Sequence, residues 1–241
     1  MRTVVEVVAR AGPGGRTVLP VVRASGQLAV RRTGPTTVHL VATAFGPLGG
    51  DDAQIRLVVE AGARLSVCTV AAAVVLPARS SDGSGSPPSV QRVLAEVAGE
   101  LDLQPEPTVV TARAHHHALL HAVLDDGARL TAIEQVQLGR TGEEPGHWTG
   151  TTRVERSGVP VLHTTVGLGP GAAAWLPPVA PRAYASTTHL GTQGGRAVGD
   201  NAVRLPLPGG WVATAWGDRL TPTLARLGAL EDTPTTRSEA R

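Results

Sequence analysis

Acidic side chains set in or beside glycine turns are the first residues in this chain whose types and spacing could do chemistry. Asp51 and Asp52 close the run Gly46-Pro47-Leu48-Gly49-Gly50-Asp51. Pro47 presets one backbone angle there, and Gly46, Gly49 and Gly50 reach conformations closed to other residues. Two readings of Asp51 follow: a solubilising acid on a tight hairpin, or a carboxylate held by a rigid turn for a metal or a partner. Glu134 lies inside Leu130-Thr131-Ala132-Ile133-Glu134-Gln135-Val136-Gln137-Leu138. In a strand it shares a face with Ala132, Val136 and Leu138, where a carboxylate is costly unless paired or metal-linked. Glu143 follows in the turn Gly139-Arg140-Thr141-Gly142-Glu143-Glu144, with Arg140 in reach as an ion-pair partner.

His115-His116-His117 with His121 forms the only histidine cluster. On a strand, His115 and His117 share a face; on a helix, His117 and His121 do. Either pair could touch nickel or zinc, or could simply face solvent, and no H-E-x-x-H pattern completes a site. Cys68, the single cysteine, sits in an apolar run and reads as a structural thiol. It rules out an internal disulfide framework. The chain contains no lysine, and all 22 basic residues are arginine, which excludes a Walker-type phosphate loop and a Schiff-base enzyme. No G-x-S-x-G nucleophile elbow occurs, and Ser186-Thr187-Thr188-His189 reads as loop.

The elements that must position these residues read as strands. Apolar runs recur about every ten residues with Gly or Pro between them, the pattern of an all-β protein. Val58 to Leu65 is echoed by Val123 to Leu130, more loosely by Val93 to Leu101, and distantly by Val203 to Val212. Each copy reads strand, Gly turn, strand, with Gly62 and Gly127 as turn residues, so the expected architecture is stacked hairpins or β-arches sharing one core. Val90, Val93, Leu94 and Val97 also fit helical spacing, but the repeat places them in a strand. One helix is expected over Asp218 to Leu230, with Leu220, Leu224, Leu227 and Leu230 on its apolar face and Pro222 in its first turn. Residues 1–230 are expected to form one β-rich domain with one or two short helices. Arg79 to Ser89 reads as a flexible loop and 231–241 as a disordered tail.

With 41% hydrophobic residues and one Phe and one Tyr, the core must be built from Val, Leu and Ala. The net charge of +2 and scattered arginines give no basic stripe, so no nucleic-acid partner is expected. No apolar run reaches the roughly 20 residues of a membrane span, and the first residues lack a signal-peptide pattern, so no membrane is expected and the location is read as cytoplasmic.

Taken in order, His39-Leu40-Val41, Gly46 to Asp51, Gly62-Ala63-Arg64-Leu65, Ala71-Ala72-Ala73, Leu76-Pro77, Gln104-Pro105-Glu106-Pro107-Thr108, Glu134 and Leu138-Gly139-Arg140 with Gly142-Glu143 resemble the urease accessory protein UreD (UreH) family. The resemblance runs from about residue 15 to 170, and the lysine-free, Arg-rich composition is similar to actinobacterial members. It departs at Cys68-Thr69-Val70, where many relatives have Thr-Thr-Gln.

The resemblance implies a non-enzymatic, β-rich chaperone. It implies partners UreF, UreG (through UreF) and apo-urease, and nickel(II) in transit with no tightly bound cofactor. Asp51 and Glu134, with Glu143 third, are then the carboxylates expected on or near the nickel route. Oxygen ligands suit that task, because a conduit must admit an ion and release it, whereas a Cys/His cage would hold it. The alternative is a β-rich structural or binding module with no metal role. A third reading is a metal-dependent hydrolase using the histidine cluster.

Overall fold

The computed structural model describes residues 1–78, 86–172 and 180–231. The expectations for most of the 79–89 loop and for the 232–241 tail lie outside the described residues. In chain order the strands are β1 (Arg2–Ala11), β2 (Thr17–Ser25), β3 (Leu28–Arg32), β4 (Thr37–Ala42), β5 (Asp52–Val59), β6 (Arg64–Thr69), β7 (Ala73–Val75), β8 (Ser89–Val97), β9 (Glu100–Gln104), β10 (Thr108–Val110), β11 (His115–Leu124), β12 (Arg129–Leu138), β13 (His147–Arg156), β14 (Val159–Leu168), β15 (Ala183–Leu190), β16 (Ala197–Gly199), β17 (Ala202–Leu207) and β18 (Gly210–Gly217). One α-helix, α1 (Leu220–Glu231), closes the described chain, and Pro13–Gly15 forms a single 3-10 turn. The expected all-β class with one or two short helices is what the chain adopts.

Two sheets hold these strands. A seven-stranded sheet runs β14-β13-β11-β8-β5-β1-β2. An eleven-stranded sheet runs β16-β17-β18-β15-β12-β9-β6-β4-β3, with β10 beside β12 and β7 beside β10. Between β1, β5, β8, β11 and β13 the pairing is parallel, as it is between β4, β6, β9 and β12. Parallel neighbours cannot be joined by tight hairpins, so the chain crosses from one sheet to the other and back. Those crossings are the sequence repeat. β5 passes to β6 at Gly62, β8 to β9 at Gly99, and β11 to β12 at Gly127. These three copies are β-arches. The fourth, Val203 to Val212, is an antiparallel hairpin of β17 and β18 within one sheet.

The Gly46 to Asp51 turn is also a crossing. β4 belongs to the larger sheet and β5 to the smaller, so the expected tight hairpin is incorrect. The local signal for both is the same; the difference lies in the distant partners, β3 and β6 for β4, β1 and β8 for β5. β4 ends at Ala42, and Phe45 stands exposed.

Alternation buries Ile55, Leu57 and Val59 of β5, Leu65 and Val67 of β6, Leu101 and Leu103 of β9, and Leu130 and Ala132 of β12 in one core between the sheets. Each fully buried Leu or Val contributes about 1.5–3 kcal/mol relative to exposure. Val93, Ala95 and Val97 lie in β8 between β5 and β11, so cross-strand pairing overrides their helical spacing. Ser186 to His189 lie in the inner strand β15 rather than in the expected loop. α1 packs Leu227 and Leu230 on Ala185, Ala213 and Ala215 of the larger sheet, and Pro222 sits in its first turn.

Gly99 marks where successive arches touch. A Cβ there would overlap the backbone carbonyls of Ala63 and Glu60. Gly99→Ala is therefore expected to cost about 1–3 kcal/mol, the usual cost of overpacking. The check is a lower urea midpoint at unchanged m-value.

Candidate functional site

A cavity of about 320 Å³ lies between the two sheets. Its existence follows from side-chain size. One inward row of the smaller sheet reads Thr3, Ala53, Gln91, Ala118 and Gly150 across paired strands, and three of these five are Ala or Gly. The adjacent row, Val5, Ile55, Val93, Leu120 and Thr152, is bulkier, and all of it but Val5 continues the cavity wall. Glu134 and Ser186, paired across β12 and β15, line the cavity from the larger sheet.

Asp51 and Glu134 both line this cavity, and Glu143 does not. Glu134 reaches it because strand parity points it the same way as buried Ala132 and Val136. Among the described residues no hydrogen bond or ion pair is recorded for its carboxyl group. Desolvation pushes its pKa up to about 7. Trp148, also lining the cavity, packs against Tyr184 with ring centroids 5.6 Å apart.

Asp51 is held differently. One carboxylate oxygen, Oδ2, accepts from the Leu48 amide at 2.8 Å, and the other, Oδ1, accepts from the Met1 ammonium at 2.5 Å. Burial alone would raise its pKa. Hydrogen bonds from the Met1 ammonium, Leu48 and Gln27 outweigh burial and hold the pKa below the usual carboxylate range. The carboxylate is thus the closing group of the turn as well as a cavity wall.

Glu143 belongs to the surface turn. It accepts from the Arg140 amide and from the Arg140 guanidinium, both at 3.0 Å. The Arg140 side chain, more than any other cause, lowers its pKa to about 2. Glu143→Ala is expected to change stability by no more than about 1 kcal/mol, as for exposed pairs generally, since Arg140 is largely solvated. Thermal unfolding of the two proteins checks this.

The histidines separate. His116 points inward and is 3% exposed, bonded to Ser89 Oγ at 2.9 Å, and desolvation lowers its pKa to about 4. His115 stacks on His147 at 4.3 Å, His117 is exposed, and His121 lies 3.4 Å from Glu155. Among the described residues no three His, Cys, Asp or Glu side chains converge to hold a metal ion. Cys68 is half-buried at the cavity wall, 3.8 Å from Ser66 Oγ.

Gln91, Glu106, Trp148 and Ser186 are among the cavity residues to which the sequence reading gave no site role. One local signal pointed toward this region, a glycine in mid-strand at 150, which marks a close approach. No helix among the described residues is long and apolar enough to cross a membrane.

Residues 2–205 match the family model described as UreD urease accessory protein. The chain is similar to the urease accessory protein UreD of Frankia alni, at 38% identity over 223 residues, covering 81% of this chain and 73% of the relative. It is 34% identical over 252 residues to that of a Parafrankia species, covering 90% and 83%. A UreD of Saccharopolyspora erythraea is 40% identical over 136 residues, which span 56% of this chain and 52% of the relative.

Proposed function

Since the chain belongs to the UreD family of urease accessory proteins, we propose that it is a urease maturation factor, a non-enzymatic scaffold that works with UreF and UreG on apo-urease and assists nickel insertion. Nickel(II) is cargo here, passing through without a resident site. The scaffold acts in the cytoplasm, where apo-urease and its accessory proteins would meet it.

The observation that supports this reading beyond family membership is the Glu134 carboxyl group, unpaired among the described residues, in a cavity whose wall also includes Asp51. An isolated carboxylate is costly to bury, and a passing divalent cation supplies the missing countercharge. Oxygen donors bind nickel without the tenacity of thiolates, and the group can take back a proton once the ion leaves. The cavity wall is otherwise mainly apolar, so its acids, Asp52 and Glu106 beside Asp51 and Glu134, are where a cation would pause. Glu143, paired with Arg140 outside the cavity, has the weakest support as a route residue.

The test is co-expression of urease, UreF and UreG with and without this chain. Urease activity that depends on the chain supports the reading. Full activity in its absence contradicts it and leaves a β-rich binding module.

A further inference from the structure

Gly150 occupies the middle of β13, where glycine is about 0.5–1 kcal/mol less favourable than a residue with a side chain. Its backbone does not require glycine, because its φ lies outside the left-handed range. The requirement is spatial. A Cβ at 150 would overlap Cη2 and Cζ2 of the Trp148 indole and sit 3.1 Å from Glu134 Oε1. Trp148 and Glu134 thus flank one point that only a missing side chain leaves free.

Trp148 is 2% exposed and backed by Val136, Leu138, Leu168 and Tyr184. A ring pushed off residue 150 has close-packed neighbours on that side and free volume in the cavity. It would move into the space that Glu134 faces.

We propose that Gly150 and Trp148 are positioning residues for Glu134: the notch at 150 seats the indole flat along β13 and keeps the passage in front of the carboxylate open. This rests on the reading of Glu134 as a route residue.

Four variants test it, each assayed for urease activation in cells carrying urease, UreF and UreG, and for thermal unfolding as purified chain. Gly150→Ala is expected to fold and to lower activation roughly tenfold, the scale of a displaced, overpacked ring. Adding Trp148→Phe removes the overlapping atoms and is expected to restore activation to within about twofold of wild type. In a Glu134→Gln background, Gly150→Ala is expected to add nothing, because residues acting through one group are non-additive.

Wild-type activation by Gly150→Ala overturns the proposal, as do losses that multiply in the Glu134→Gln background. If Gly150→Ala fails to fold, the double variant with Trp148→Phe decides: folded and active supports the proposal, folded and inactive overturns it. Normal activation by folded Glu134→Gln removes the route reading itself and the proposal with it, an outcome distinct from failure at residue 150 alone.

Discussion

Glu134→Gln is expected to abolish most urease activation while making the folded chain more stable at pH 8. The two effects come from one cause. The glutamate pKa rises from 4.5 to about 7 on folding because burial penalises the charged form. The unfolded chain therefore releases its proton first, and stability falls as pH rises through the interval from about 4.5 to 7. At 1.36 kcal/mol per pKa unit, the carboxylate costs on the order of 3 kcal/mol above that interval. Glutamine keeps the shape and removes the charge, so the gain should be full at pH 8 and vanish near pH 4. Urea titrations at the two pH values check it. A less stable variant at pH 8 would mean that the carboxylate has a partner and is not waiting for a cation.

His116 gives the opposite slope. Its pKa falls from 6.5 to about 4 on folding, again through burial. The unfolded chain then binds the proton first, and stability drops as pH falls through that interval. In the wild type the two groups oppose each other between about pH 4.5 and 6.5. Removing Glu134 should leave the His116 slope uncovered there.

The second large effect is at Asp51. Asp51→Ala is expected to lower stability by about 1–3 kcal/mol, because it removes the charged acceptor of both the Leu48 amide and the Met1 ammonium. The lowered pKa means that the carboxylate's contribution is present above its ordinary value of 3.8 and is lost as pH falls through the folded value. Asp51→Asn separates the two roles. Its amide oxygen can still accept from Leu48, but the negative charge is gone. If Asp51 acts on the cation, the Asn variant should be more stable than Asp51→Ala in urea titrations, though below wild type for want of the Met1 ion pair, and still activate urease poorly. If Asn restores activation, Asp51 serves the turn alone.

Local chemistry was legible in the sequence, and long-range pairing was not. Strand parity put Glu134 on the more apolar face, and the acidic Gly turn offered Arg140 a neighbouring acid, which the structure gives as Glu143. Both depend on neighbours in the chain. The repeat around Gly62, Gly99 and Gly127 revealed equivalent turns, because an arch and a hairpin share the same glycine signal. Which sheet receives each strand depends on partners tens of residues away, which is why the Gly46 to Asp51 crossing read as a hairpin. Parity grouped His115 with His117, yet only the pairing of β11 between β8 and β13 turns His116 inward. The cavity is the extreme case. It arises where a row contributed one residue per strand, with Ala53, Ala118 and Gly150 as its small members, meets Glu134 from the other sheet. No segment of the chain contains that row.

Nickel entry into urease through the Glu134 cavity, as proposed for this chain, can be read from urease itself. The most direct measurement is the nickel content of urease purified from cells that supply UreF, UreG and either the wild-type chain, Glu134→Gln, or no copy of this chain. Urease loaded with nickel is expected only in the first case, with the Glu134→Gln chain present at wild-type levels. Fully loaded urease without this chain would contradict its role in maturation. Full loading with Glu134→Gln would contradict the route through the cavity.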